Sequence, residues 1–212
     1  AAEARRFHLD QRTGVELPSE TSRMLSPEPA WKLRARGDKW QPGDTANMAI
    51  GQGDVLVTPL GMACFAASVA RGEIFTKPTL VHQPGRIAQH TEPIGLTAAQ
   101  RAALFDGMEG CTTTGTAKVL ATIEDYRVPG VRIAGKTGTA QIPEKKNVAW
   151  FICFAPLENP EIAIAIAVEG DTPGEEFGGG LHAAPVASAV LKKYFEKKTR
   201  VNSPLANPFK TD

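Results

Sequence analysis

Lys136 stands between Gly135 and the run Thr137-Gly138-Thr139-Ala140-Gln141, at the front of a β-strand pattern flanked by apolar residues. One lysine, two hydroxyls and two glycines on a short strand edge suit the capture of a small carboxylate beside a backbone N–H donor. The Lys136 ammonium offers a charge-assisted hydrogen bond to an anion. Thr137 and Thr139 add hydroxyl donors. Gly138 has no side chain, so a ligand can approach the strand backbone closely. The plain alternative for a bare Lys-Thr-Gly triplet is an exposed strand end.

Other residues that could carry chemistry are less suggestive. Cys64, Cys111 and Cys153 form no C-x-x-C pair and no zinc spacing. Cys64 and Cys153 lie in apolar stretches and read as small buried hydrophobes. His8, His82, His90 and His182 show no metal spacing. Gly51-Gln52-Gly53 lacks the third glycine of a dinucleotide fingerprint. The glycine-rich stretch 170–180 lacks the Gly-Lys-Ser/Thr ending of a phosphate loop and reads as a mobile loop near a cleft rim. Trp150 and Phe151 read as core. No metal and no cofactor are expected.

Around these residues, 212 positions suffice for one or two domains with a sizeable core. A net charge of +1 gives no reason to expect nucleic acid or an anionic membrane surface as a partner. Lys192-Lys193 and Lys197-Lys198 read as the solvated C-terminal end of a helix. The chain opens on Ala1 and runs through Phe7 like the tail of a helix begun earlier, so a fragment is expected, its upstream part carrying any membrane anchor.

The elements that must position the lysine follow from pattern. Residues 10–53 are rich in Gly, Pro, Ser and Asp and read mostly as loop, broken by Pro27, Pro29 and Pro42. A buried helix is expected over 55–70, capped by Thr58, with Pro59 at its first position and Gly72 as its stop. A second helix runs from Thr97 to about Cys111, with a Thr97/Gln100 capping box. A third, short one covers 115–125. Three strands follow: 131–141, 148–155 and 162–169. The last alternates Ile162, Ile164, Ile166 and Val168 with alanines, so both faces are expected to be covered. Residues 157–160 give a hairpin turn. A last helix covers 183–197, and 201–212 read as a disordered tail. The fold class is α+β: an antiparallel sheet covered by helices, with one domain over 1–200.

Taken together these pieces resemble the C-terminal half of the transpeptidase domain of class B penicillin-binding proteins. The resemblance rests on Thr13 to Glu20, Trp40 with Gly43-Asp44-Thr45, Ile50-Gly51-Gln52-Gly53, Thr58-Pro59-Leu60, and Gly115-Thr116-Ala117. It continues through Ala134 to Gln141, Ala149-Trp150-Phe151, Ala155-Pro156, Asn159-Pro160, Val168-Glu169 and Ala184-Pro185-Val186. Gly43-Asp44-Thr45 with Gly51-Gln52-Gly53 is closer to the elongation-type member than to the division type. The family implies a partial penicillin-binding/serine β-lactamase-like fold and a membrane-anchored periplasmic D,D-transpeptidase that cross-links peptidoglycan. Its ligands would be the D-Ala-D-Ala stem peptide and β-lactams, and its partners the cell-wall elongation machinery. By the same resemblance, Lys136 joins the catalytic hydrogen-bond relay and Thr139 lends its backbone N–H to an oxyanion hole. Lys136, Thr137, Gly138 and Thr139 would line the substrate.

The family's nucleophile motif S-x-x-K and its S-x-N element are not in this chain. The residues three after Ser19, Ser22, Ser26, Ser68, Ser188 and Ser203 are Ser22, Leu25, Pro29, Arg71, Leu191 and Ala206. Thr45-Ala46-Asn47 reads as structural. Both missing motifs are expected upstream of Ala1, and the chain alone is expected to be inactive. A non-catalytic penicillin-binding-like sensor or scaffold stays open as the alternative. A β-lactamase relative fits less well, because 40–53 and 150–160 match the cell-wall enzymes.

Overall fold

The structure is a computed structural model that describes residues 2–21, 25, 27–81, 91–142, 146–173, 175 and 177–202. Its helices are α1 (Ala2–Arg6), α2 (Pro29–Arg36), α3 (Pro42–Ala49), α4 (Pro59–Arg71), α5 (Ala98–Thr113), α6 (Val119–Thr122), α7 (Gly179–His182) and α8 (Ala184–Asn202). Its strands are β1 (Ala134–Ala140), β2 (Lys146–Ala155) and β3 (Ile162–Pro173). They form one antiparallel sheet in the order β1-β2-β3. The expected α+β class holds.

The sheet is covered on both faces because its central strand is apolar on both. Phe151, Cys153 and Ala155 of β2 pack with Ile164 of β3, with Ala183 at the junction of α7 and α8, and with Ala184, Ala187 and Leu191 of α8. On the other face Phe154 and Ala134 pack with Val69, Ala70 and Phe105, which come from α4 and α5. Ala163 joins that second cluster, so the small residues of β3 admit α4 closely, as the alternation implied. Phe151 and Phe154 are fully buried, and such a side chain contributes about 3–5 kcal/mol by truncation.

Helices α4 and α5 start where their caps place them. Thr58 Oγ1 accepts from Gly61 N–H at 3.0 Å, and Gly72 closes α4 at φ 73°. Thr97 and Gln100 form the reciprocal box that opens α5. Arg132 then ties Glu109 of α5 to Glu158 in the β2–β3 turn.

Four expectations need correction. Residues 10–53 are not mostly loop: Pro29 and Pro42 stand at the first turns of α2 and α3. A proline at the first helical position loses no hydrogen bond, so it starts a helix as readily as it stops one. The helix expected over 115–125 is instead the four-residue α6 followed by a 3-10 turn, Glu124–Tyr126, because Ile123 is extended between them. The stretch 170–180 is only partly loop, since β3 runs to Pro173 and α7 begins at Gly179. Trp150 is only half-buried, unlike Phe151. Of the expected tail, 201–202 close α8 and 203–212 lie outside the described residues.

Candidate active site

Among the described residues β1 is an edge strand, paired on one side only. In its register Lys136 lies opposite Ile152, Thr137 opposite Phe151 and Thr139 opposite Ala149. Side chains alternate along a strand, so Lys136 and Gly138 share the α4/α5 face while Thr137 and Thr139 share the α7/α8 face. Lys136 is exposed. Its Nζ donates to the Thr137 C=O at 2.6 Å, so the ammonium curls over the strand's open edge.

Two side-chain bonds identify which main-chain groups face outward. Gln52 Nε2 donates to the Thr139 C=O at 2.8 Å, and Gln141 N–H donates to Gln52 Oε1 at 3.2 Å. Residues 139 and 141 therefore point away from β2. Main-chain groups alternate along an antiparallel strand, so Thr137 points the same way. The Thr139 N–H and the Thr137 C=O thus lie on one open rim, beside the Lys136 ammonium.

The glycines of this region divide by what packs against them. A Cβ on Gly135 would come within 2.6 Å of the Phe151 ring. One on Gly179 would meet the Trp150 carbonyl oxygen at 2.0 Å, and one on Gly180 the Thr116 oxygen at 1.8 Å. Those three are required by internal packing. A Cβ on Gly138 would meet only Trp150 Cβ, at 3.5 Å, an ordinary contact. The chain's own packing does not demand glycine there.

Close packing at Gly180 brings the turn containing Thr116 against the site. The Thr116 and Thr137 hydroxyls are 2.6 Å apart and share a hydrogen bond; Cys111 Sγ lies 3.5 Å from Thr116 Oγ1. With Thr116 donating, the Thr137 proton is free to point outward to a ligand. Lys136, Thr137, Gly138 and Thr139 are brought together by one strand, while Gln52 and Thr116 reach them from elsewhere. Neither Gln52 nor Thr116 is among the expected site residues. For Gln52 the available signal was a polar residue between two glycines, Gly51 at φ 75° and Gly53 at φ 73°.

Gln52 is held from behind. Its N–H donates to the Asn47 C=O at 2.9 Å. Asp44 caps α3 and pairs with Lys32 at 2.7 Å, and Asp54 pairs with Arg36. The Trp40 indole N–H donates to Thr45 Oγ1 at 2.8 Å. The Gly-Asp-Thr and Gly-Gln-Gly motifs are thus parts of one unit that carries Gln52 to the rim.

The remaining candidates lie elsewhere. Burial pushes the Cys64 thiol up to about 11 and the Cys153 thiol up to about 12, so neither is a ready nucleophile. His8 stacks on Phe75 and His182 on Phe177; His82 and His90 lie outside the described residues. Among the described residues no His, Cys, Asp and Glu cluster is arranged to hold a metal ion.

The penicillin binding protein transpeptidase domain model matches residues 2–192. The chain belongs to that family. Its penicillin-binding relatives include the peptidoglycan D,D-transpeptidase MrdA of Acinetobacter baumannii, 34% identical over 197 residues, covering 80% of this chain and 28% of the relative. Among solved structures, the Helicobacter pylori complex of penicillin-binding protein PBP2 with MreC matches with TM-score 0.70 and 30% identity, over 92% of this chain and 34% of that one. Penicillin-binding protein A of Mycobacterium tuberculosis, solved as a ceftriaxone acyl-enzyme complex, matches with TM-score 0.65 and 29% identity, over 90% of this chain and 42% of that one. The chain therefore spans less than half the length of these penicillin-binding proteins. The MrdA and PBP2 relatives agree with the elongation-type, class B assignment.

Proposed function

We propose that this chain supplies the substrate-holding edge of a peptidoglycan D,D-transpeptidase working through a serine acyl-enzyme. The observation that carries the proposal is the open rim of β1, with a free-facing Thr139 N–H, the Lys136 ammonium and two threonine hydroxyls. A stem peptide ending in D-Ala-D-Ala would lie along this edge as an added strand. Lys136 and the hydroxyls of Thr137 and Thr139 would hold its terminal carboxylate. The Thr139 N–H would be one donor to the oxyanion formed when a serine attacks the D-Ala-D-Ala amide. Removing such a donor typically costs about 10²–10³ in turnover. Terminal D-Ala leaves, and an acceptor amine resolves the ester.

The attacking serine, its S-x-x-K lysine and the S-x-N element would come from protein outside this chain. The setting would be the bacterial periplasm, with membrane anchorage from a segment outside the chain; no described helix is long and apolar enough to cross a membrane. β-Lactams would acylate the same serine, and the enzyme would work with the cell-wall elongation machinery.

Labelled penicillin tests the reading. The isolated chain should form no covalent adduct, and the full-length protein should form one at a serine of an S-x-x-K motif. A stable adduct on the isolated chain would refute the assignment of the nucleophile. A full-length protein without that motif, binding the D-Ala-D-Ala peptide but never acylated, would instead favour a sensor.

A further inference from the structure

The outer edge of β1 is not empty. The Gln52 amide fills two of its main-chain groups, the Thr139 C=O and the Gln141 N–H. A primary amide carries a donor and an acceptor side by side. It therefore supplies what the main chain of an added peptide would supply. The residue reaches this edge from far along the chain, and its own backbone is fixed. Gly51 and Gly53 both adopt the left-handed conformation that side chains resist, and the Gln52 N–H is bonded to Asn47. Only the side chain is left to move.

We infer that Gln52 is an internal competitor for the ligand edge: its amide occupies groups of Thr139 and Gln141 that an extended peptide ligand must take over. This rests on the reading of β1 as the ligand-binding edge. The consequence is selective. A ligand able to replace Nε2 with its own N–H at the Thr139 C=O recovers what it displaces. A ligand without such a donor covers the Thr139 C=O without pairing it and binds less well.

A brace and a competitor predict opposite signs. If Gln52 only braced β1, removing it would loosen the strand and weaken binding. As a competitor, its removal should strengthen binding. The chain carries no S-x-x-K serine, so equilibrium affinity for N-acetyl-D-Ala-D-Ala can be followed by amide NMR without turnover. For Gln52→Ala the expected result is about fivefold tighter binding, the factor for one net hydrogen bond. In the unaltered chain the Gln52 side-chain amide resonances should move toward free-amide values on saturation. Gln52→Glu is the second variant. Its carboxylate accepts from Gln141 N–H but cannot donate to the Thr139 C=O, so a smaller gain is expected. Equal or weaker binding in both variants, with the Thr139 and Gln141 amides still responding to peptide, overturns the competitor alone. No response of the β1 amides in any of the three chains overturns the ligand edge and the competitor together.

Discussion

The two edges of the sheet are dressed for different tasks. The β1 edge is short and polar, and its outward groups meet Lys136 and Gln52. The β3 edge belongs to a 12-residue strand whose first six residues alternate isoleucine and alanine, and no strand pairs with its outer side among the described residues. A long, apolar, unpaired edge is a template for another strand. A short edge with an ammonium and hydroxyls beside it is suited to a small anion-bearing ligand instead. The same backbone ladder thus presents an apolar edge on one side and a polar, cationic edge on the other, and side chains alone make the difference.

The largest effects come from what each strand leans on. Phe151→Ala removes a fully buried ring of the central strand, and should cost about 4 kcal/mol of stability by chemical denaturation; a loss under about 1 kcal/mol would mean the sheet is not held as described.

Gly135→Ala and Gly138→Ala separate packing from function on one strand. The first drives a methyl into the Phe151 ring and should cost about 2 kcal/mol. The second should cost less than about 1 kcal/mol, yet lower penicillin acylation in the full-length protein. Equal stability losses would remove the argument that Gly138 is kept clear for a ligand.

Glu73, just past the end of α4, carries a pH signature. Burial works to raise its carboxyl, but hydrogen bonds from Arg71, Thr76 Oγ1 and the Thr91 N–H prevail and hold it below the usual range. A depressed folded value means the stabilisation is full above the unfolded value of about 4.3. It is lost as pH falls through the folded value. Glu73→Gln should therefore lower stability at pH 7 by about 1–2 kcal/mol and flatten the acid limb of a melting-temperature profile. An unchanged acid limb would contradict the assignment.

The smallest expected effect is at Thr116. Thr116→Val removes the hydroxyl that orients Thr137; stability should stay within about 0.5 kcal/mol, with penicillin acylation of the full-length protein about fivefold slower.

How much of this was legible in sequence depends on range. α4 and α5 announce themselves through Thr58, Pro59 and Gly72, and through the Thr97/Gln100 box, which are local signals. The strands follow from the Ile/Ala alternation and the apolar run through Phe154. Helices α2 and α3 were hidden because each is eight residues long, buries none of them, and begins with a proline that also reads as a breaker. At the site, Lys136 to Thr139 are contiguous and could be read directly. Gln52 and Thr116 lie 87 and 21 residues from their partners. Only the tertiary fold brings them to the strand; locally, only the two glycines around Gln52 hinted at a fixed backbone there.

On the proposed function, the ammonium of Lys136 meets the ligand at the open rim of β1. The most direct measurement is the second-order rate of acylation by fluorescent penicillin for the full-length protein and its Lys136→Ala variant, with melting temperature as the control. The expected result is a fall of about 10²-fold, the scale for losing one charge-stabilising donor, at unchanged melting temperature. An unchanged acylation rate would show that the lysine is no part of the site.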